Sequence, residues 1–132
     1  MESKLLKIVE DLVGDKSFAI GNDVVLLTDF QKSFNDLFKN KVYTLPEVNY
    51  CDSFDDALLH YASTFAAKEA VYKALKQLDD SPIGWKKIEI IREKLGGKPE
   101  VIIHRDSAPQ ISLTITHDGD YVWAVALIAT DK

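Results

Sequence analysis

The stretch DDALLHYASTFAAKEAVYKALKQL, residues 55–78, contains neither glycine nor proline. It predicts one long helix, with Asp52 or Ser53 as the cap and acids in the first turn. Alanine and other apolar residues occupy most of its sides, which places it in the interior. After Trp85 the period changes. Residues 87–93 and 100–104 read as strands joined by a turn at Gly96-Gly97-Lys98-Pro99, and residues 110–117 and 121–129 as strands joined at Asp118-Gly119-Asp120. Before the helix, residues 18–27 form a strand candidate. Thr28 would cap a helix whose apolar face holds Phe30, Phe34, Leu37 and Phe38, and Pro46 opens another short helix. An amphipathic stripe over residues 3–13 (Leu5, Leu6, Ile8, Val9, Leu12, Val13) ends at Gly14. Helices ahead of a run of antiparallel strands give an α+β class: a mostly antiparallel sheet packed against a long buried helix.

The chain has 132 residues, 46% hydrophobic and 28% charged, with 16 basic against 21 acidic residues and a formal charge of −5. The expectation is a single domain over residues 1–132, with residues 1–14 as a helical extension. The acidic balance excludes broad binding to nucleic-acid phosphates. The longest apolar run, residues 121–129, is too short for a membrane helix, and charges interrupt the start of the chain where a signal segment would lie. A lone cysteine, Cys51, suits the cytoplasm. No zinc motif, P-loop, dinucleotide fingerprint or nucleophile elbow is present.

Three polar residues fall where the pattern asks for apolar ones. Glu69 shares a helix face with Leu58, Ala62 and Phe65, and a carboxylate there needs a partner. Lys73, four residues on, would be a plain intrahelical partner. Asp23 follows the parity of Val25 and Leu27, unless residues 21–23 form a loop and leave it exposed. His117 continues the parity of Leu113 and Ile115 at a strand end, where a histidine bonded to the backbone is the common case. Two acids aimed into apolar surroundings suit a hard cation such as Mg²⁺, and Lys68, Lys73 and Lys98 would add charge for phosphates. Spacing alone does not bring the two acids together.

Four blocks, in order, resemble the holo-acyl-carrier-protein synthases. They are Ile20-Gly21-Asn22-Asp23-Val24 with Val42-Tyr43-Thr44, Glu47 and Cys51; Phe65 to Leu75; Gly97-Lys98-Pro99; and Thr114-Ile115-Thr116-His117. The resemblance implies a single-copy 4′-phosphopantetheinyl transferase fold. The implied activity is Mg²⁺-dependent transfer of phosphopantetheine from coenzyme A to a serine of an apo acyl carrier protein, releasing adenosine 3′,5′-bisphosphate. It implies Asp23 and Glu69 as metal ligands, and Glu69, Lys73 and His117 as the catalytic set. Lys68, Lys73, Gly97, Lys98, Pro99, Thr116 and His117 would hold the coenzyme. It also implies a homotrimer with each site between two subunits. Glu69 or a metal-bound water could accept the serine proton. Thr64 and Asn22 depart from the family's usual residues at their positions. Carrier docking would use Lys32, Lys39 and Lys41 or apolar contacts such as Phe34 and Phe38. The alternative is a catalytically silent carrier-binding scaffold; a Mg²⁺-dependent phosphohydrolase is a third possibility.

Overall fold

The computed structural model describes residues 4–8 and 16–131. Residues 4–8 are helical and exposed, and the rest of the helix expected over residues 3–13 lies outside the described residues. The chain continues as β1 (Lys16–Leu26), α1 (Leu27–Ser33), α2 (Asp36–Val42), α3 (Leu45–Asp52), α4 (Ala57–Lys76), a 3₁₀ turn (Trp85–Lys87), β2 (Ile88–Ile91), β3 (Glu100–Ile103), β4 (Ser112–Asp118) and β5 (Tyr121–Asp131). The α+β expectation holds, with the strands divided between two antiparallel sheets, β1-β5-β4 and β2-β3. No described helix is long and apolar enough to cross a membrane.

The first and last strands pair along their length, from Lys16 opposite Asp131 to Leu26 opposite Tyr121. β4 and β5 form a hairpin around Gly119 and Asp120. Gly119 has φ 57° while Asp120 stays out of the left-handed region, so glycine takes the first central position of the tight turn.

One face of this sheet, carrying Ala19, Val122, Ala124, Ala126 and Ile128, is buried against α4. The helix meets it with Ala62, Ala66, Ala67, Ala70, Val71 and Ala74, all fully buried. Small residues on both sides let backbone approach backbone. A Cβ at Gly21 would lie 1.9 Å from the Ala70 carbonyl oxygen and 2.7 Å from the Ala74 nitrogen. β5 is apolar on both faces: Trp123 and Leu127 point away from the helix and stay exposed, with Phe18, Ile20 and Val24 of β1 beside them. That is why residues 121–129 read as a continuous apolar run rather than an alternating one.

Several boundaries differ from expectation. Thr28 caps nothing, because α1 starts at Leu27 directly from β1. The helix expected over Phe30–Phe38 breaks at Phe34, and Asn35 starts α2 by accepting the Phe38 N–H at 2.8 Å. Leu37 leaves the apolar face and is 78% exposed. α4 starts after Asp56 with no side-chain cap and no acid in its first turn. Asp52 ends α3 instead and accepts the Tyr61 hydroxyl at 2.6 Å.

Gly21→Ala tests the close approach. The overlap with backbone forces the strand and helix apart, for a loss of about 1–3 kcal/mol or more in urea unfolding. An unchanged midpoint would mean that the seam is loose.

Candidate active site

β1 runs straight through residues 21–23, with Asp23 opposite Ala124, so the loop reading of this segment is overturned. Alternation puts Gly21, Asp23 and Val25 on the helix side. Because Gly21 brings β1 onto α4, Asp23 and Glu69 come to line one cavity of about 460 Å³ with Phe30, Phe38 and Phe65. Burial raises the Glu69 pKa above its ordinary value, Asp23 raises it further, and Lys73 opposes them.

Lys73 does not pair with Glu69 in the structure. Its ammonium crosses to β1 and donates to Asp23 Oδ1 at 3.0 Å and to the Asn22 carbonyl at 3.1 Å. The Asp23 side chain is 17% exposed and that of Lys73 is 49% exposed. A cation thus already sits at the edge of the carboxylate pair. Two hard oxygen donors that repel each other fit Mg²⁺, which takes few protein carboxylates and fills its shell with water and substrate oxygens. Among the described residues no cluster of three or more metal-ligating side chains offers an alternative.

Lys68 is a correction. It is fully buried and bonds Glu47 Oε1 at 2.7 Å, the Val42 carbonyl at 3.0 Å and the Trp85 carbonyl at 2.9 Å. Its three N–H donors are committed, so it has none for a coenzyme phosphate. Burial lowers its pKa from the ordinary value, against the pull of Glu47. Glu47, in the sequence only a marker of the first block, has a role there that sequence reasoning did not assign: it is the buried partner of Lys68. It completes a capping box with Thr44 at the start of α3, and its other oxygen accepts the Ile90 N–H at 2.8 Å. The signal was Thr44-x-x-Glu47.

Gly97, Lys98, Pro99, Thr116 and His117 line a different groove, of about 430 Å³, with His60 and Arg92. This groove shares no lining residue with the Asp23–Glu69 cavity. Within one chain the residues singled out therefore fall into two groups: the carboxylates and Lys73 on one, His117 and the glycine-lysine-proline turn on the other. Of the docking candidates, Phe34 and Phe38 turn inward into an aromatic cluster with Phe30, Tyr43, Tyr61 and Phe65.

Two substitutions separate roles. Lys68→Met strands the Glu47 carboxylate in the interior and should remove about 3–5 kcal/mol of stability; a phosphate-binding lysine would instead leave stability alone. For Glu69, the raised folded-state pKa means its stabilising contribution is present at low pH and lost as pH rises through that value. Glu69→Gln removes that loss, so without divalent ion near neutral pH the variant should melt at an equal or higher temperature. A marked fall would identify Glu69 as one half of a structural ion pair.

The model of the 4′-phosphopantetheinyl transferase superfamily matches residues 19–126. A holo-[acyl-carrier-protein] synthase of Chlorobaculum parvum is 34% identical over 113 residues, spanning 83% of this chain and 96% of that one. A coenzyme A complex of the Chronobacterium ammoniagenes synthase matches with a TM-score of 0.74 at 22% identity, over 88% of this chain and 98% of that one, a likeness of fold. The Bacillus anthracis synthase, in complex with CoA (3′,5′-ADP), matches with a TM-score of 0.70 at 25% identity, over 86% of this chain and 96% of that one.

Proposed function

This chain belongs to the 4′-phosphopantetheinyl transferase superfamily, among the holo-acyl-carrier-protein synthases, and on that premise we propose that it transfers 4′-phosphopantetheine from coenzyme A to a serine of an apo acyl carrier protein. The observation that carries the proposal is the convergence of Asp23, Glu69 and Lys73, from a strand and a helix far apart in sequence, on one cavity edge.

The serine oxygen forms a bond to the β-phosphorus of the coenzyme, and the bond from that phosphorus to the bridging oxygen breaks. Adenosine 3′,5′-bisphosphate leaves. Asp23 and Glu69 would hold Mg²⁺, which when bound neutralises charge on the pyrophosphate oxygens. Lys73, one turn beyond Glu69, leaves Asp23 to donate to the same phosphate oxygens as a point charge. Glu69, in the same cavity, would take the serine proton. The Phe30, Phe38 and Phe65 rings keep water from one side of the reacting groups.

His117, Lys98 and the turn at Gly97 bind the nucleotide end of the coenzyme, and a second copy of the chain brings that groove to the carboxylates. Support comes from the separation of the two groups within one chain and from the exposed apolar sheet face of Phe18, Ile20, Val24, Trp123 and Leu127. A homotrimer closes such a set of contacts. The described cysteine, Cys51, is a buried free thiol, in keeping with a cytoplasmic setting.

Incubation with coenzyme A, Mg²⁺ and an apo carrier, read by mass spectrometry of the carrier, should add one phosphopantetheine. Asp23→Asn and Glu69→Gln should abolish the gain, and Trp123→Asp should lose it together with the oligomer in sedimentation. No gain with any of several carriers would favour a silent carrier-binding scaffold. Cleavage of coenzyme A without acceptor would favour a phosphohydrolase, and a fully active monomer would refute the shared site.

A further inference from the structure

Arg92 lies just past β2, half-buried, and lines the groove that contains His60, Lys98 and His117. Its guanidinium is held from three sides. Nη2 donates to the Thr64 hydroxyl and to the His60 carbonyl at 3.2 Å, and the group stacks over the Tyr50 ring at 4.5 Å. Thr64 is itself buried and anchored, donating to the His60 carbonyl at 2.9 Å. These contacts fix where the charge points without neutralising it.

No carboxylate pairs with Arg92 among the described residues. That is unusual in a chain with 21 acids against 16 bases, since a half-buried guanidinium normally meets an anion. The one acid in the groove, Asp56, pairs with His60 at 3.2 Å instead. Among the described residues both Arg92 hydrogen bonds leave from one nitrogen, and the rest of its planar donor fork faces no described acceptor and suits a ligand. The surrounding field agrees. Burial lowers the His60 pKa most; Asp56 pulls it up, while Arg92 and His117 add to the lowering.

We infer that Arg92 is a specificity-determining residue that binds a terminal phosphate monoester of an adenosine nucleotide, with Lys98 and His117 completing the anion site. The inference rests on the transferase reading. There the pyrophosphate lies at Asp23, Glu69 and Lys73, and the coenzyme's remaining anion is the phosphomonoester on its ribose. A fork with a fixed direction matches a dianionic monoester better than a mobile lysine does.

Calorimetry with adenosine 3′,5′-bisphosphate and with AMP tests this without any turnover. The wild-type protein should bind the bisphosphate at least about tenfold more tightly than AMP, as expected for charge-assisted hydrogen bonds. Arg92→Gln should erase the difference by weakening the bisphosphate alone, and Arg92→Lys should keep part of it. The Lys variant carries the test if the Gln variant fails to fold. A wild-type protein that does not discriminate, variants that discriminate as well as wild type, or variants whose defect is in carrier affinity would each overturn the assignment. Transfer by wild-type protein alongside any of these results would leave the functional reading standing, whereas absence of both transfer and nucleotide binding would remove both.

Discussion

The contact between Gly21 and the backbone of α4 at Ala70 sets the geometry of the rest. A side chain at that point would overlap the helix carbonyl, so only glycine lets β1 lie this close. Ala66, Ala67, Ala70 and Ala74 extend the seam along the helix, and Ala124 and Ala126 continue it across β5. The consequence is functional as much as structural. Asp23 stands two residues beyond Gly21 on the same strand face, and Glu69 stands one residue before Ala70. Strand alternation and helix periodicity then leave the two carboxylates facing one cavity. A wider strand–helix spacing would keep both residues and lose the pair.

A second constraint fixes the other side of α4. The Lys68–Glu47 pair is fully buried, and each partner makes further hydrogen bonds: Lys68 to the Val42 and Trp85 carbonyls, Glu47 to the Thr44 and Ile90 amides. The chain of contacts continues from Thr44 to Glu89 at 2.6 Å and from Glu89 to His104 at 2.9 Å. Hydrogen bonding by Thr44 and His104 holds the Glu89 pKa below its ordinary value although burial pushes the other way. The network ties α3, α4, the 3₁₀ turn and β2 together. It thereby holds Arg92, at the end of β2, over Thr64 of α4. Neighbouring residues of one motif, Lys68 and Glu69, thus have opposite duties: one is spent inside the frame, the other faces the cavity.

Much of this was legible in the residues. The long helix, both hairpins and the anomaly of a carboxylate on an apolar stripe follow from periodicity and turn chemistry. Glu69 and Asp23 stood out because each broke the pattern of its element. Lys68 was misread because a lysine beside a conspicuous glutamate looks like a phosphate ligand, and its burial depends on a partner 21 positions earlier, at Glu47. Arg92 went unnoticed for the converse reason: an arginine near the end of a strand candidate breaks no pattern, and only the tertiary contacts reveal a held charge that no described carboxylate pairs. The division of the site between two cavities is likewise a property of the folded chain, since order along the sequence says nothing about which markers share a groove.

The proposed chemistry requires one divalent ion that touches both β1 and α4. Paramagnetic broadening of backbone amide signals by Mn²⁺, added in place of Mg²⁺, measures this directly. Selective loss of signals around residues 22–24 together with those around residues 68–71 is the predicted result. Broadening of one segment without the other, or of a different acidic region such as residues 79–80, would contradict it.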